Sequence, residues 1–295
     1  MYPSFRMAKS KTGTQMSRIV IRPLKSQEDF RACERIQEIV WGSVGVSSEL
    51  MTVTQKYGGA VLGSIVNGRV VGFIYAFLAR RHGSLIHWSH LMAVEPEFRD
   101  LGLGFRMKLA HRELALDQGL DSICWTFDPL QSRNAALNIG RLGARAEEYL
   151  ANCYGRFQSA IEKGLESDRL VVNWRIRAVA VERRLKGERP AGEALASLLT
   201  APRINETCLN ARGLLENRRL SLSLRESKLL VEIPTATDQM RAKDVKLARR
   251  WRLETRKIFM RYYGRQYRVE DFILPCPASD GRAFYVLGWS SRAAR

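Results

Sequence analysis

No apolar run in the 295-residue chain approaches the ~18 residues of a membrane-spanning helix, so a soluble protein with no membrane partner is expected. Cysteine is scarce: Cys33, Cys124, Cys153, Cys208 and Cys276 are odd in number, scattered and never in C-x-x-C spacing. No secretory apolar segment precedes them. A disulfide framework and a zinc site are thereby disfavoured, and reduced thiols in a cytoplasmic protein are expected. There are four histidines. His87 and His90 point to opposite faces of one strand, and His82 and His111 have no partner at ligand spacing, so no metal is expected. Acid is also in short supply, with 30 Asp and Glu against 48 Lys and Arg, a net charge of +18. Such a balance points to polyanionic partners and says nothing of fold. What is plentiful is apolar residue, at 45%, enough to bury one large or two modest units.

The chain is organised around His87 to Ala110, read H-W-S-H-L-M-A-V-E-P-E-F-R-D-L-G-L-G-F-R-M-K-L-A. An apolar strand ends at Pro96, a turn carries Arg99-Asp100-Leu101-Gly102-Leu103-Gly104, and a helical pattern of Phe105, Leu109, Ala110 and Leu114 follows. Such a junction binds anions because the first helical turn leaves N–H groups unpartnered and the helix dipole adds positive charge there. A dinucleotide fingerprint would need a third glycine where Met107 stands, and a Walker loop would need Gly-Lys-Ser/Thr, which is absent. R-x-x-G-x-G after L-x-V-x-P instead resembles the pyrophosphate signature of the GNAT superfamily, the Gcn5-related N-acyltransferases that use acyl-coenzyme A. The resemblance implies acetyl-CoA or another acyl-CoA as cosubstrate, itself a polyanion. It further implies that residues 100 to 104 (Asp100, Leu101, Gly102, Leu103, Gly104) hold the pyrophosphate with Arg99 beside them.

Read in order, residues 1–17 form a basic tail with no acid, for which an organelle transit segment is the alternative. Ile19 to Leu24 reads as a strand, Ser26 and Asp29 as a capping box before a helix to Val40. The segment Trp41 to Lys56 is a surface loop or, by the resemblance, a cover over the acceptor pocket. Ala60–Val66 and Val70–Leu78 make a hairpin at Asn67-Gly68, followed by a strand over 85–94, a helix to about Gln118 and a strand over 122–127. Ser132 to Leu142 is a helix, and 144–150 and 170–177 are closing strands. This is the GNAT order, an α/β mixed sheet over 18–190, in which the resemblance implies that the fourth and fifth strands run parallel and splay apart to admit the acyl-pantetheine arm. Beyond Arg189-Pro190-Ala191-Gly192 the composition changes to a β-β-α-β-β pattern over 191–295. It reads as a second small domain, an extension of the first sheet or a degenerate repeat of the acyltransferase half.

Attack of an amine on a thioester needs a base, an oxyanion donor and a fate for the thiolate. The resemblance implies a backbone N–H of the fourth strand for the oxyanion, here Met92 with Val94 on the same strand. His90, nine positions before Arg99, is the candidate base, since a histidine holds that offset in the similar arylalkylamine N-acetyltransferases. Strict alternation puts it on one face with Trp88, Met92 and Val94. The tyrosine many GNAT enzymes use as acid, four residues before a glycine, is Ile139 here. Either the thiolate leaves unassisted, or Tyr149 or Tyr154 supplies the proton. Asp128 is read as a binder of the acceptor amine or as an Asp-Pro strand terminator, and Asn134 matches a family contact to the pantetheine arm.

A long helix over 239–262 is strongly basic. From Arg241 to Arg268 there are eleven Lys and Arg against two acids, interleaved with Tyr262, Tyr263 and Tyr267. Basic and aromatic residues together suit nucleic acid, although a solvated face or an acidic partner would use the same pattern. The expected function is N-acylation of a small amine or amino acid, a homodimer being among the assemblies open to it. The alternatives are an acyl-CoA-binding regulator with weak or no catalysis and a nucleic-acid-associated protein.

Overall fold

The computed structural model describes residues 19–155, 165–188, 198–274 and 281–289. The basic tail, the composition boundary near residue 190 and Cys276 lie outside the described residues.

Strand β1 (Ile19–Pro23) leads into α1 (Gln27–Trp41), where Ser26 and Asp29 form the expected capping box, and then α2 (Ser48–Lys56). The hairpin β2 (Ala60–Val66) and β3 (Arg69–Arg81) turns at Asn67 and Gly68, whose φ values of 51° and 79° supply the left-handed pair that a two-residue hairpin requires. β4 (Ser84–Val94) returns antiparallel to β3 and feeds a short 3-10 turn, then α3 (Leu103–Asp117). β5 (Ser122–Phe127) covers the expected residues. The next helix, α4 (residues 132–141), opens as an α-turn and widens into a π-helix over Ala136–Arg141. β6 (Arg145–Leu150), β7 (Arg169–Arg175) and a short α5 (Val179–Leu185) follow. The helix α5 is absent from the sequence reading, because seven residues give too little periodicity to register.

The second half carries β8 (Asn205–Leu209), β9 (Leu215–Leu220), β10 (Lys228–Pro234), α6 (Thr237–Lys243), α7 (Val245–Tyr263), β11 (Tyr267–Ile273) and β12 (Arg282–Trp289). The expected single basic helix is two, because Asp244 leaves helical geometry and caps α7 by accepting the Leu247 N–H at 2.9 Å. β8 and β9 pair only with each other as a named sheet. All other strands belong to one ten-stranded mixed sheet in the order β1-β2-β3-β4-β5-β7-β6-β11-β12-β10. The second half therefore extends the first sheet.

That order contains a topological repeat. β5, α4, β6 and β7 lie as 5-7-6, the third strand inserted antiparallel between the other two, and β10, α7, β11 and β12 lie as 10-12-11 in the same sense. The two units meet where β6 touches β11, at Ala146 and Val269. One apolar cluster runs through both, from Trp125 and Trp174 to Trp251, Phe259 and Tyr285, each at most 5% exposed. Burying a side chain of this class stabilises by roughly 1.5–3 kcal/mol, so the halves share a core as well as a sheet.

Candidate active site

β4 and β5 are parallel and bridged only at His87–Ile123 and Trp88–Cys124. Beyond Trp88 no strand among the described residues lies beside the β5-facing edge of β4. Its backbone groups can be assigned by alternation. The Glu95 N–H donates to the Val71 carbonyl of β3 at 2.9 Å, so the Ala93 and Leu91 amides face β3 while those of Met92 and Val94 face the gap.

At the open end of the gap, Arg99 turns its Nε back to the Val94 carbonyl at 3.3 Å, and Asp100 and Gly102 adopt φ of 65° and 70°. These left-handed residues bend the chain so that α3 starts immediately. No side chain caps the α3 N-terminus. The space above Gly102 is open, and Gly104 lies close to Met92 and Leu137. The first-turn amides therefore face solvent at the mouth of the gap. Two arginines of α4 border this loop and were not singled out in the sequence: Arg133 lies 3.7 Å from Asp100, and Arg141 stacks on Phe105 at 3.6 Å. Their signal, basic residues on the helix after the fifth strand, was masked by a chain rich in arginine throughout. Asn134 is exposed on the same helix.

His90 is the extra residue of a β-bulge, for Tyr75 pairs with Leu91 and Ala76 with Ser89. The bulge corrects the expectation from strict alternation. Met92 and Val94 pack against α3 with Met107, Ala110 and Leu114, whereas His90 lies on the opposite face, with ring centroids 6.4 Å from Tyr75 and 6.1 Å from Phe77. Tyr75 in turn shares a 2.9 Å hydrogen bond with Thr54 of α2. Burial lowers the His90 pKa below its ordinary value, which keeps the ring neutral at physiological pH. The segment between α1 and α2 is held over this face by Gln37, whose carbonyl oxygen accepts from the Gly45 and Val46 amides at 3.0 and 2.9 Å.

Tyr154 lies beside β5, its hydroxyl 3.0 Å from Thr126 Oγ1. Trp125 faces α3, so alternation turns Thr126 to the face that carries His90. Tyr149 is engaged elsewhere. It donates to Asp168 at 2.5 Å and stacks on Phe259, and burial together with that carboxylate drives its pKa upward, away from proton donation. Asp128 is also taken, closing a turn by accepting the Leu130 N–H at 2.8 Å and forming a two-pronged ion pair with Arg252 of α7, one contact being 2.7 Å. Burial by itself would raise the Asp128 carboxyl, but the Arg252 charge and hydrogen bonds outweigh it and hold the pKa low. Asp128 thus ties the two halves together instead of facing the acceptor side. Arg256 does likewise with Glu166 and Asp168.

The three tyrosines proposed to stack on bases are spent on the fold. Tyr262, Tyr263 and Tyr267 donate to the carbonyls of Ser221, Ala146 and Glu226 at 2.9–3.1 Å. The outward side of α7 carries lysines and arginines such as Lys246, Arg249, Lys257 and Arg261 together with Val245, Leu253 and Met260. A further cluster lies under β4, on its α3 face: His87 Nδ1 and His111 Nε2 are 2.9 Å apart, and Lys108 donates to Ser89 Oγ at 3.1 Å with its ammonium 3.7 Å from the Trp125 ring centre. The pairing of His111 escaped sequence reasoning because its partner is on another element.

No protein-family model matches the sequence, and no curated protein matches it. Among solved structures the chain is similar to an acetyltransferase of the GNAT family from Streptococcus pneumoniae, with a TM-score of 0.45 and 17% identity over 53% of this chain and 98% of that one. It is similar to an N-acetyltransferase from Staphylococcus aureus, with a TM-score of 0.45 and 16% identity over 55% and 100% of the two chains. Ard1 from Thermoplasma volcanium gives a TM-score of 0.41 and 21% identity over 52% and 95%. The element order and the parallel, splayed β4–β5 pair are those the sequence resemblance implied. The bulged His90, the unpaired edge of β4 and the uncapped start of α3 lie along one stretch of chain, residues 89–104.

Proposed function

We propose that the chain is an acyl-CoA-dependent N-acyltransferase acting on a small amine or amino-acid-like acceptor. The observation that carries the reading is the unpaired edge of β4, whose Met92 and Val94 amides look into a gap opening onto the uncapped start of α3. A diphosphate fits that start, since the amides of residues 100–104 have no capping side chain and Gly102 keeps the approach clear. Arg133 and Arg141 would supply cations for the remaining phosphate.

His90 accepts a proton from the acceptor ammonium, freeing the nitrogen lone pair. The nitrogen attacks the thioester carbon, the C–N bond forms, and the carbonyl oxygen becomes an oxyanion facing the Met92 N–H. The tetrahedral nitrogen gives up its second proton, to water or by relay to the departing sulfur, as collapse restores the carbonyl and breaks the C–S bond. The thiolate leaves with a proton from Tyr154 or from water, Ile139 being buried in the core with no acidic group to give.

Gly102→Glu sets a carboxylate where the diphosphate would sit, in a left-handed conformation that side chains resist. Calorimetry should find acetyl-CoA or succinyl-CoA binding to the natural chain and at least about tenfold weaker binding to the variant. Equal binding to both would remove the loop from the site. Binding without thiol release across a panel of amines would leave an acyl-CoA-binding regulator in place of an enzyme.

A further inference from the structure

Lys108 sits where a charge is costly. It is 2% exposed, and among the described residues no carboxylate lies within ion-pair distance of it. Its partners are one hydroxyl, Ser89 Oγ on β4, and the face of Trp125 on β5. The other titratable groups around it are bases, His111 on its own helix and His87 on β4. Buried charges are normally paired, and no carboxylate among the described residues pairs with this one.

The location gives the missing partner a chemistry. β4 and β5 part after the Trp88–Cys124 bridge, and Ser89 and Trp125 are the next residue on each strand. Lys108 therefore spans the closed end of the gap from the α3 side. A pantetheine arm anchored at residues 100–104 runs along β4 toward lower residue numbers, past the Met92 amide, so the distal end of its acyl group points at Ser89 and Lys108. Met92 lies three residues beyond Ser89, at most ~10 Å along a strand and less across a bulge. A four- or five-carbon dicarboxylic chain with its thioester carbon at Met92 extends ~5–6 Å, and a ~3 Å contact at the amine brings its reach to most of that distance. The phosphates of the coenzyme are held at the other end of the gap and cannot neutralise the amine.

We propose that the acyl group this site transfers ends in a carboxylate, with Lys108 as its counter-ion. The inference rests on the acyltransferase reading and names the substrate class of the same site. The transfer itself is unchanged: the thioester carbon exchanges sulfur for nitrogen, and the distal carboxylate stays intact.

The test compares acetyl-, malonyl-, succinyl- and glutaryl-CoA with the full-length protein, by calorimetry and by thiol release with a common amine. Succinyl- or glutaryl-CoA should exceed acetyl-CoA in kcat/KM by at least about 30-fold, the scale expected for pairing a desolvated charge. Lys108→Met should abolish most of that ratio, and Lys108→Gln, which keeps a hydrogen-bond donor, should do the same. Cooperative thermal unfolding of both variants checks that they fold. If acetyl-CoA binds and turns over while the carboxylated thioesters show no advantage, or if the ratio survives in Lys108→Met, the inference is overturned and the acyltransferase reading stands. If no thioester binds, both fall.

Discussion

Replacing Lys108 by methionine should stabilise the ligand-free protein by an amount that depends on pH. Methionine fills a similar volume without a charge, so the perturbation removes the amine and little packing. Burial lowers the Lys108 pKa from its ordinary 10.5 to about 7. At 1.36 kcal/mol per unit, the cost of this buried site is on the order of 5 kcal/mol below pH 7. Leaving Ser89 Oγ without its donor returns about 1 kcal/mol at every pH. The sign follows from proton counting. Between pH 7 and 10.5 the unfolded chain holds a proton that the folded one has released, so the natural protein gains stability as pH rises. The variant lacks this dependence. Its advantage should therefore be several kcal/mol near pH 7 and shrink by up to ~1.4 kcal/mol per unit toward 10.5. Urea unfolding of both proteins at intervals between pH 7.5 and 9.5 reads the difference. Burial holds His111 and His87 below their ordinary values, so both are neutral across that range in either state and drop out. A variant that is less stable, or whose advantage does not change with pH, would show that the amine is compensated within the fold, and the case for an anionic ligand would lose its basis.

Two further outcomes follow from the site. His90→Gln should cut kcat/KM by roughly 100-fold. Because burial lowers the pKa of His90, activity of the natural enzyme should be present above that lowered value and fall only as pH drops through it, below 6.5. A loss under about threefold at saturating amine removes the residue from the role of base. Asp128→Asn should destabilise by about 3–5 kcal/mol, read by urea or heat, because it leaves the Arg252 guanidinium buried without its counter-charge. Unaltered stability with lost amine affinity would instead return Asp128 to the acceptor side.

The strand, turn and helix of residues 85–117 were legible because they are local. Their period, their glycines and the proline lie within one window, and the structure differs there by a residue or two. The bulge at His90 was not, since a bulge is defined by the partner strand: nothing in S-H-L-M says that Ala76 will skip to Ser89. Asp128 was legible as an Asp-Pro turn after β5, but its ion pair with Arg252 was not, for the same reason. Its partner is 124 positions away on a helix whose arginines looked like a nucleic-acid face. In the second half β10, α7, β11 and β12 were legible, the β8–β9 hairpin and the break at Asp244 were not, and neither was the pairing, because β11 and β12 have the alternation of any buried strand and join the first sheet through one residue pair. Lys108 looked like one more cation among 48 until packing showed it to be buried.

The bulge also accounts for how one strand can serve two partners. A regular strand repeats its faces every second residue, so His90 and Met92 would present their side chains to the same side. One inserted residue breaks that link. His90 turns toward Tyr75 and the α1–α2 segment, Met92 turns toward α3, and the Met92 amide still points along the sheet into the gap. The His90 imidazole on one side, the Met92 amide at the edge and, behind Ser89, the Lys108 amine are then three directions from a stretch of four residues. Deleting His90, the one residue between Ser89 and Leu91, would restore alternation along β4 and remove the imidazole together with the bulge, whereas His90→Gln keeps the bulge and removes only the imidazole.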